Sequence, residues 1–159
     1  MKTLREVINE GIKSIAIVGA SPIEGKVGNI ILKNLINYGF KGRIYPVNPK
    51  YKEIMDLKTY PNISSLPEVP DVVVIAVPPR IAINVLDEAS KYGVKLAVII
   101  TAGFREVGNV ELDKKLHDVI SKSKMRVLGP NSAGITLSRL GIHASIEVLP
   151  TKGPVGLVM

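Results

Sequence analysis

The stretch from Val18 to Asn29, "VGASPIEGKVGN", carries the clearest chemical signal in the chain. Gly19, Ser21, Gly25 and Gly28 can bring backbone N–H groups close to an anion, and Lys26 adds a point charge. A β-branched run precedes the loop and a helical pattern follows it. The loop therefore opens a helix, where free N–H groups and the dipole favour phosphate. A solvated first-turn lysine is the plainer reading of Lys26. Neither common phosphate loop fits in full. A dinucleotide fingerprint wants G-x-G-x-x-G and an acidic residue about 20 positions on for a ribose hydroxyl. Here Ser21 stands at the second glycine position, and the next strand ends in Asn48, Pro49 and Lys50. That disfavours NAD, while Lys50 leaves a partner for the 2′-phosphate of NADP. A P-loop wants a small residue, four others, then G-K-[ST]. Ala20 to Lys26 fits, but Val27 replaces the hydroxyl that would hold magnesium. The pattern points to a phosphorylated ligand bound without magnesium.

Other reactive side chains are few. The chain has no cysteine, which excludes disulfides, thiolate chemistry and sulfur metal sites. Of its two histidines, His117 in "LDKKLHDVI" reads as a solvated helix residue. His143 in "LGIHASI" reads as part of a connection toward a further domain. Neither is expected to act as a nucleophile, and no catalytic or metal-binding residue is assigned.

The elements that must position the loop follow from periodicity. Continuous apolar runs predict strands at 13–20, 42–49, 71–79, 95–103 and 125–134, the last with its loop. Helical spacing predicts helices at 27–39, 80–93 and 109–124, the first two ending in glycine. Residues 52–70 read as a turn-rich connection with room for a short strand or helical turn. Alternating strands and helices imply βαβ units and a parallel sheet, and continuous apolar strands imply that both its faces are covered. The expected fold class is α/β, a Rossmann-like parallel sheet with helices on both faces. Ligands of such folds sit beyond the carboxyl ends of the strands. The five segments there, "GASPIEGKVG", "PVNPK", "VPPR", "TAGF" and "GPNSAG", can all offer N–H groups or hydroxyls to one crevice.

Bulk properties narrow the ligand. At 159 residues the chain accommodates one domain with a sizeable core. No apolar stretch is long enough to span a bilayer and no signal-peptide core leads the chain, so a cytoplasmic protein away from membranes is expected. A net charge of +7 favours a polyanionic partner. The cations are scattered and aromatics make up only 4%, which leaves few rings for stacking bases and weights a phosphate-rich cofactor above nucleic acid.

"IVGASPIEGKVG", "YPVNPKY", "VVVIAVPPR", "LAVIITAGFREVG" and "RVLGPNSAGI", in that order, resemble the N-terminal coenzyme A-binding domain of NDP-forming acid–CoA ligases. That family includes acetate–CoA ligase (ADP-forming) and the α subunit of succinate–CoA ligase. The resemblance implies coenzyme A as the ligand, with no need for magnesium or a ribose carboxylate. It implies that the loop through Gly19, Ala20, Ser21, Pro22, Gly25, Lys26 and Val27 wraps the CoA diphosphate. Lys50, with Asn48 beside it, is similar to the lysine at the cofactor's adenosine phosphate end. Val77, Pro78 and Pro79 resemble the turn against the adenine. Ile100, Thr101 and Ala102 resemble the turn that meets the pantetheine, although the succinate enzymes carry an acidic residue in place of Ala102. Asn131 resembles a residue near the thiol end.

The family reaction, reversible, joins an acid to CoA at the expense of NTP through a phosphohistidine on another domain. The resemblance therefore implies CoA or acyl-CoA as partners, together with the remaining ligase domains or a nucleotide-binding subunit, and is compatible with a homo-oligomer. It divides the chain into a CoA-binding domain at 1–150 and the start of a truncated second domain at 151–159, where "GPVGLVM" reads as an entering strand. The chain alone is expected to be inactive. A stand-alone CoA-binding regulatory protein is the alternative, and an NADP-dependent reductase domain a more distant one.

Overall fold

The computed structural model describes residues 3–148, so the expected second-domain start at 151–159 lies outside the described residues. Along the chain, α1 (Leu4–Asn9) leads to β1 (Ser14–Val18), α2 (Val27–Asn37) and β2 (Arg43–Val47). A small hairpin of β3 (Glu53–Ile54) and β4 (Leu57–Lys58) precedes β5 (Val72–Ile75). Then come α3 (Pro79–Tyr92), β6 (Leu96–Ile99), α4 (Val110–Lys122), β7 (Arg126–Leu128) and a second hairpin, β8 (Gly134–Leu137) with β9 (Ile142–Ser145).

Five parallel strands form the central sheet in the order β2-β1-β5-β6-β7. The chain starts near the middle, moves outward to β2, and returns to β5 on the other side of β1. Right-handed crossovers in opposite directions place the helices on opposite faces. Ile15, Ile17, Val72, Val74, Leu96 and Val98 face Ile31, Leu32 and Leu35 of α2. Ala16, Val18, Val73, Ile75, Ala97 and Ile99 face α3 and α4, including Leu86 and Leu116. Every residue of β1, β5 and β6 is buried, which is why these strands read as unbroken apolar runs.

The structure departs from the periodicity in three places. The strand expected at 71–79 stops at Ile75, because Pro79 supplies the first turn of α3. Helix α1 is short and was not predicted; Thr3 and Glu6 close it with a capping box. The connection at 52–70 is turn-rich as expected, and its short elements are the β3–β4 hairpin and a 3₁₀ turn at Ile63–Ser65. The third departure corrects the reading of His143 as part of a connecting segment: it lies in β9, 1% exposed. The β8–β9 hairpin packs on α2, and Asn34 Nδ2 donates to the Ser145 carbonyl at 2.8 Å. Such a hairpin was hard to foresee, since each strand has only four residues and two apolar positions facing α2.

At the amino end of the sheet, Asp71 braces three strands. Its carboxylate accepts from the Lys13 N–H at 2.8 Å, the Ser14 N–H at 3.2 Å and Lys95 Nζ at 3.2 Å. Partial burial pushes this carboxyl up, but those donors outweigh it and hold the group below the ordinary aspartate value.

Candidate functional site

With all five strands parallel, the turns after them share one edge of the molecule. Strand order reverses between β1 and β5, and the crevice of such a sheet opens there. The Gly19 N–H donates to the Val47 carbonyl at 3.0 Å on one side, and the Ala76 N–H donates to Val18 at 2.9 Å on the other. The first turn is thus tied to both neighbouring strands.

Two glycines in this turn are required by contact. A Cβ on Gly19 would stand 2.3 Å from the Ala76 carbonyl oxygen, and one on Gly28 would stand 1.9 Å from the oxygen of Gly19. Helix α2 can therefore approach β1 only with glycine at its second position. The rest of the loop projects outward: Pro22, Ile23, Glu24, Gly25, Lys26 and Val27 are exposed. Helix α2 begins without a side-chain cap, since Lys26 occupies the N-cap and makes no cap bond. The N–H groups of Val27 and Gly28 meet no acceptor among the described residues. Helix α3, after Pro78, likewise begins without a side-chain cap, whereas Thr3 caps α1 and Asn109 caps α4. An anion accepting from the start of α2 would complete the helix. A phosphate group fits this donor set, and among the described residues no three His, Asp or Glu gather to hold a metal ion.

The other predicted residues form a chain of contacts across the edge. Asn48 reaches back to the Ala20 carbonyl through Nδ2 at 2.8 Å and accepts the Lys50 N–H through Oδ1 at 2.9 Å. Lys50 is exposed. Val77 packs beside Gly19, and its carbonyl accepts from Thr101 Oγ1 at 2.8 Å. Pro79 lies against Gly103, where an added Cβ would meet its ring at 2.6 Å. The Asn131 N–H donates to the Thr101 carbonyl at 2.9 Å, and Asn131 is left-handed at φ 54°. Lys50, Asn48, Ala20, Gly19, Val77, Thr101 and Asn131 thus lie in sequence along one rim. Pro78 and Ala102 are exposed beside it, whereas the Ile100 side chain, 8% exposed, belongs to the core and leaves only its backbone for a ligand.

Asn29 was not among the residues singled out from the sequence. It is 4% exposed and donates through Nδ2 to the Ser21 carbonyl at 3.0 Å. A polar residue directly after the G-K-x-G run, where an apolar helix face begins, was the available signal. Glu106 was also missed; it accepts the N–H groups of Gly103 and Phe104, which hold its carboxyl below the ordinary range.

Neither histidine enters the rim. His117 is exposed on α4, and its Nδ1 lies 2.9 Å from the Asp113 carbonyl. His143 has both nitrogens engaged, Nδ1 with Thr136 Oγ1 at 2.8 Å and Nε2 with the Glu147 carbonyl at 3.1 Å. A cleft of about 610 Å³ lies where the strands begin, lined by residues such as Val94, Lys95 and Met125, and none of the predicted site residues borders it.

A sequence model of the family described as CoA binding domain matches residues 13–138. Acetate–CoA ligase (ADP-forming) of Methanocaldococcus jannaschii is 46% identical over 147 residues, which cover 92% of this chain and 21% of that protein. The α subunit of acetate–CoA ligase (ADP-forming) I of Pyrococcus furiosus is 39% identical over 155 residues, covering 92% of this chain and 33% of that one. The solved structure of the Ca. Korarchaeum cryptofilum dinucleotide-forming acetyl-coenzyme A synthetase 1, in complex with phosphate and ADP, matches at a TM-score of 0.83 and 45% identity. That match covers 87% of this chain and 30% of the other. The chain therefore spans between a fifth and a third of the length of these relatives. Alike in its sequence and in the fold that sequence adopts, the chain belongs to the CoA-binding domain family, whose ligand is coenzyme A.

Proposed function

We propose that this chain holds CoA along the carboxyl rim of its sheet, as the CoA-binding part of an NDP-forming acid–CoA ligase. The observation that carries the reading is the unsatisfied start of α2 behind a glycine-lined turn. Gly19 to Val27 and the first N–H groups of α2 hold the diphosphate. Lys50 meets the 3′-phosphate, the Val77–Pro79 turn lies against the adenine, and the pantetheine runs past Ile100, Thr101 and Ala102 toward Asn131. CoA supplies the reacting thiol. The chain's own part is to bind and orient it.

The acid-activating chemistry is assigned to other domains or a nucleotide-binding partner. The relatives' names support this, since they are ADP-forming ligases several times longer than the chain, one of them an α subunit. The two histidines support it too, since His117 lies within α4 and His143 within β9, away from the turns that form the rim. Calorimetric titration without magnesium should show saturable CoA binding. Binding of NADP in place of CoA would defeat the reading.

A further inference from the structure

Resting on that CoA reading and deepening it, we propose that Asn48 is a positioning residue that assembles the diphosphate loop and the Lys50 turn into one recognition unit. Its carboxamide is engaged at both ends, on the Ala20 carbonyl at 2.8 Å and the Lys50 N–H at 2.9 Å. A trans peptide sets its C=O and N–H on opposite sides. Anchoring the Ala20 carbonyl on Asn48 therefore turns the Ser21 N–H the other way. A loop that binds anions must keep its carbonyl oxygens turned aside, because an oxygen facing phosphate repels it. Two more side chains withdraw neighbouring carbonyls: Asn29 holds that of Ser21 at 3.0 Å, and Thr101 holds that of Val77 at 2.8 Å. Pro22 and Pro78 follow those carbonyls and carry no N–H, so there the effect is withdrawal alone. Of the three, only Asn48 links the diphosphate loop to the turn that carries Lys50. It also sets ligand class. An ionised aspartate there could accept a ribose hydroxyl but could not donate to Ala20; the amide leaves a cation, Lys50, as what that end of the crevice offers.

Calorimetric titrations of the wild type, Asn48→Ala, Lys50→Ala and the double variant with CoA and dephospho-CoA test the coupling. The wild type should prefer CoA. Lys50→Ala should lose only that preference. Asn48→Ala should weaken dephospho-CoA about tenfold, through the loosened loop, and should also erase most of the preference for the 3′-phosphate. Adding Lys50→Ala to it should then change little. Retained preference in Asn48→Ala, with losses that add in the double variant, overturns the inference. Wild-type protein that binds neither ligand overturns the CoA reading beneath it. If Asn48→Ala melts too low to assay, Asn48→Asp decides. It keeps an acceptor for the Lys50 N–H and loses the donor to Ala20. Its dephospho-CoA affinity should fall about tenfold at neutral pH while its melting temperature without ligand stays near the wild-type value. An affinity equal to that of the wild type sinks the proposal.

Discussion

Gly25 and Gly28 lie in one loop, yet substitution should affect them differently. Gly28→Ala puts a methyl 1.9 Å from the Gly19 oxygen, a backbone atom that cannot move aside cheaply. It should destabilise the fold by about 2–3 kcal/mol, read as a lowered melting temperature even without ligand. Gly25 has φ +79° and no neighbour within 4 Å. The requirement there is the left-handed backbone alone, so Gly25→Ala should cost about 1 kcal/mol and act mainly by reshaping the loop. Melting curves with and without CoA should show a modest drop for Gly25→Ala and a reduced ligand-induced rise. An undiminished rise would make Gly25 a structural residue only. From the sequence, the glycines and Lys26 stood out because phosphate loops constrain residue type, and Lys50 stood out by its place after the second strand and by the resemblance. What Asn48 does was not, since only the fold shows both ends of its amide in use.

Among the elements, the strands and long helices were legible because burial on both faces leaves a continuous apolar signature. The β8–β9 hairpin was not, because its stability comes from packing against α2, a contact far off in sequence. Asp71 offers a test of how strands are held at their starts. Its folded carboxyl lies below the ordinary value, so its stabilising contribution is fully present above that value and lost as pH falls through the folded one. Acid unfolding should therefore steepen below about pH 4. Asp71→Asn should flatten that slope and cost about 1 kcal/mol at neutral pH, discounted for partial exposure. Denaturant titrations of both proteins between pH 3 and pH 7 would show it. Parallel stability curves across that range would relocate the acid sensitivity to other carboxylates.

For the molecule as a whole, a net charge of +7 facing a ligand of several phosphates implies salt-sensitive binding. CoA affinity should fall steadily as sodium chloride is raised, and an affinity indifferent to salt would contradict exposed lysines as contacts. Mixed with an acid, CoA, ATP and magnesium, the chain should release no ADP above background. Release of ADP would show a complete catalyst. The start of α2, finally, bears on motion in the free protein. Peptide hydrogens in an unfastened first turn trade places with solvent through small local openings. The opening turn of α2 should exchange fast in the free protein and slow sharply once CoA is added, while α4, fastened by its own Asn109, keeps one pace in both states.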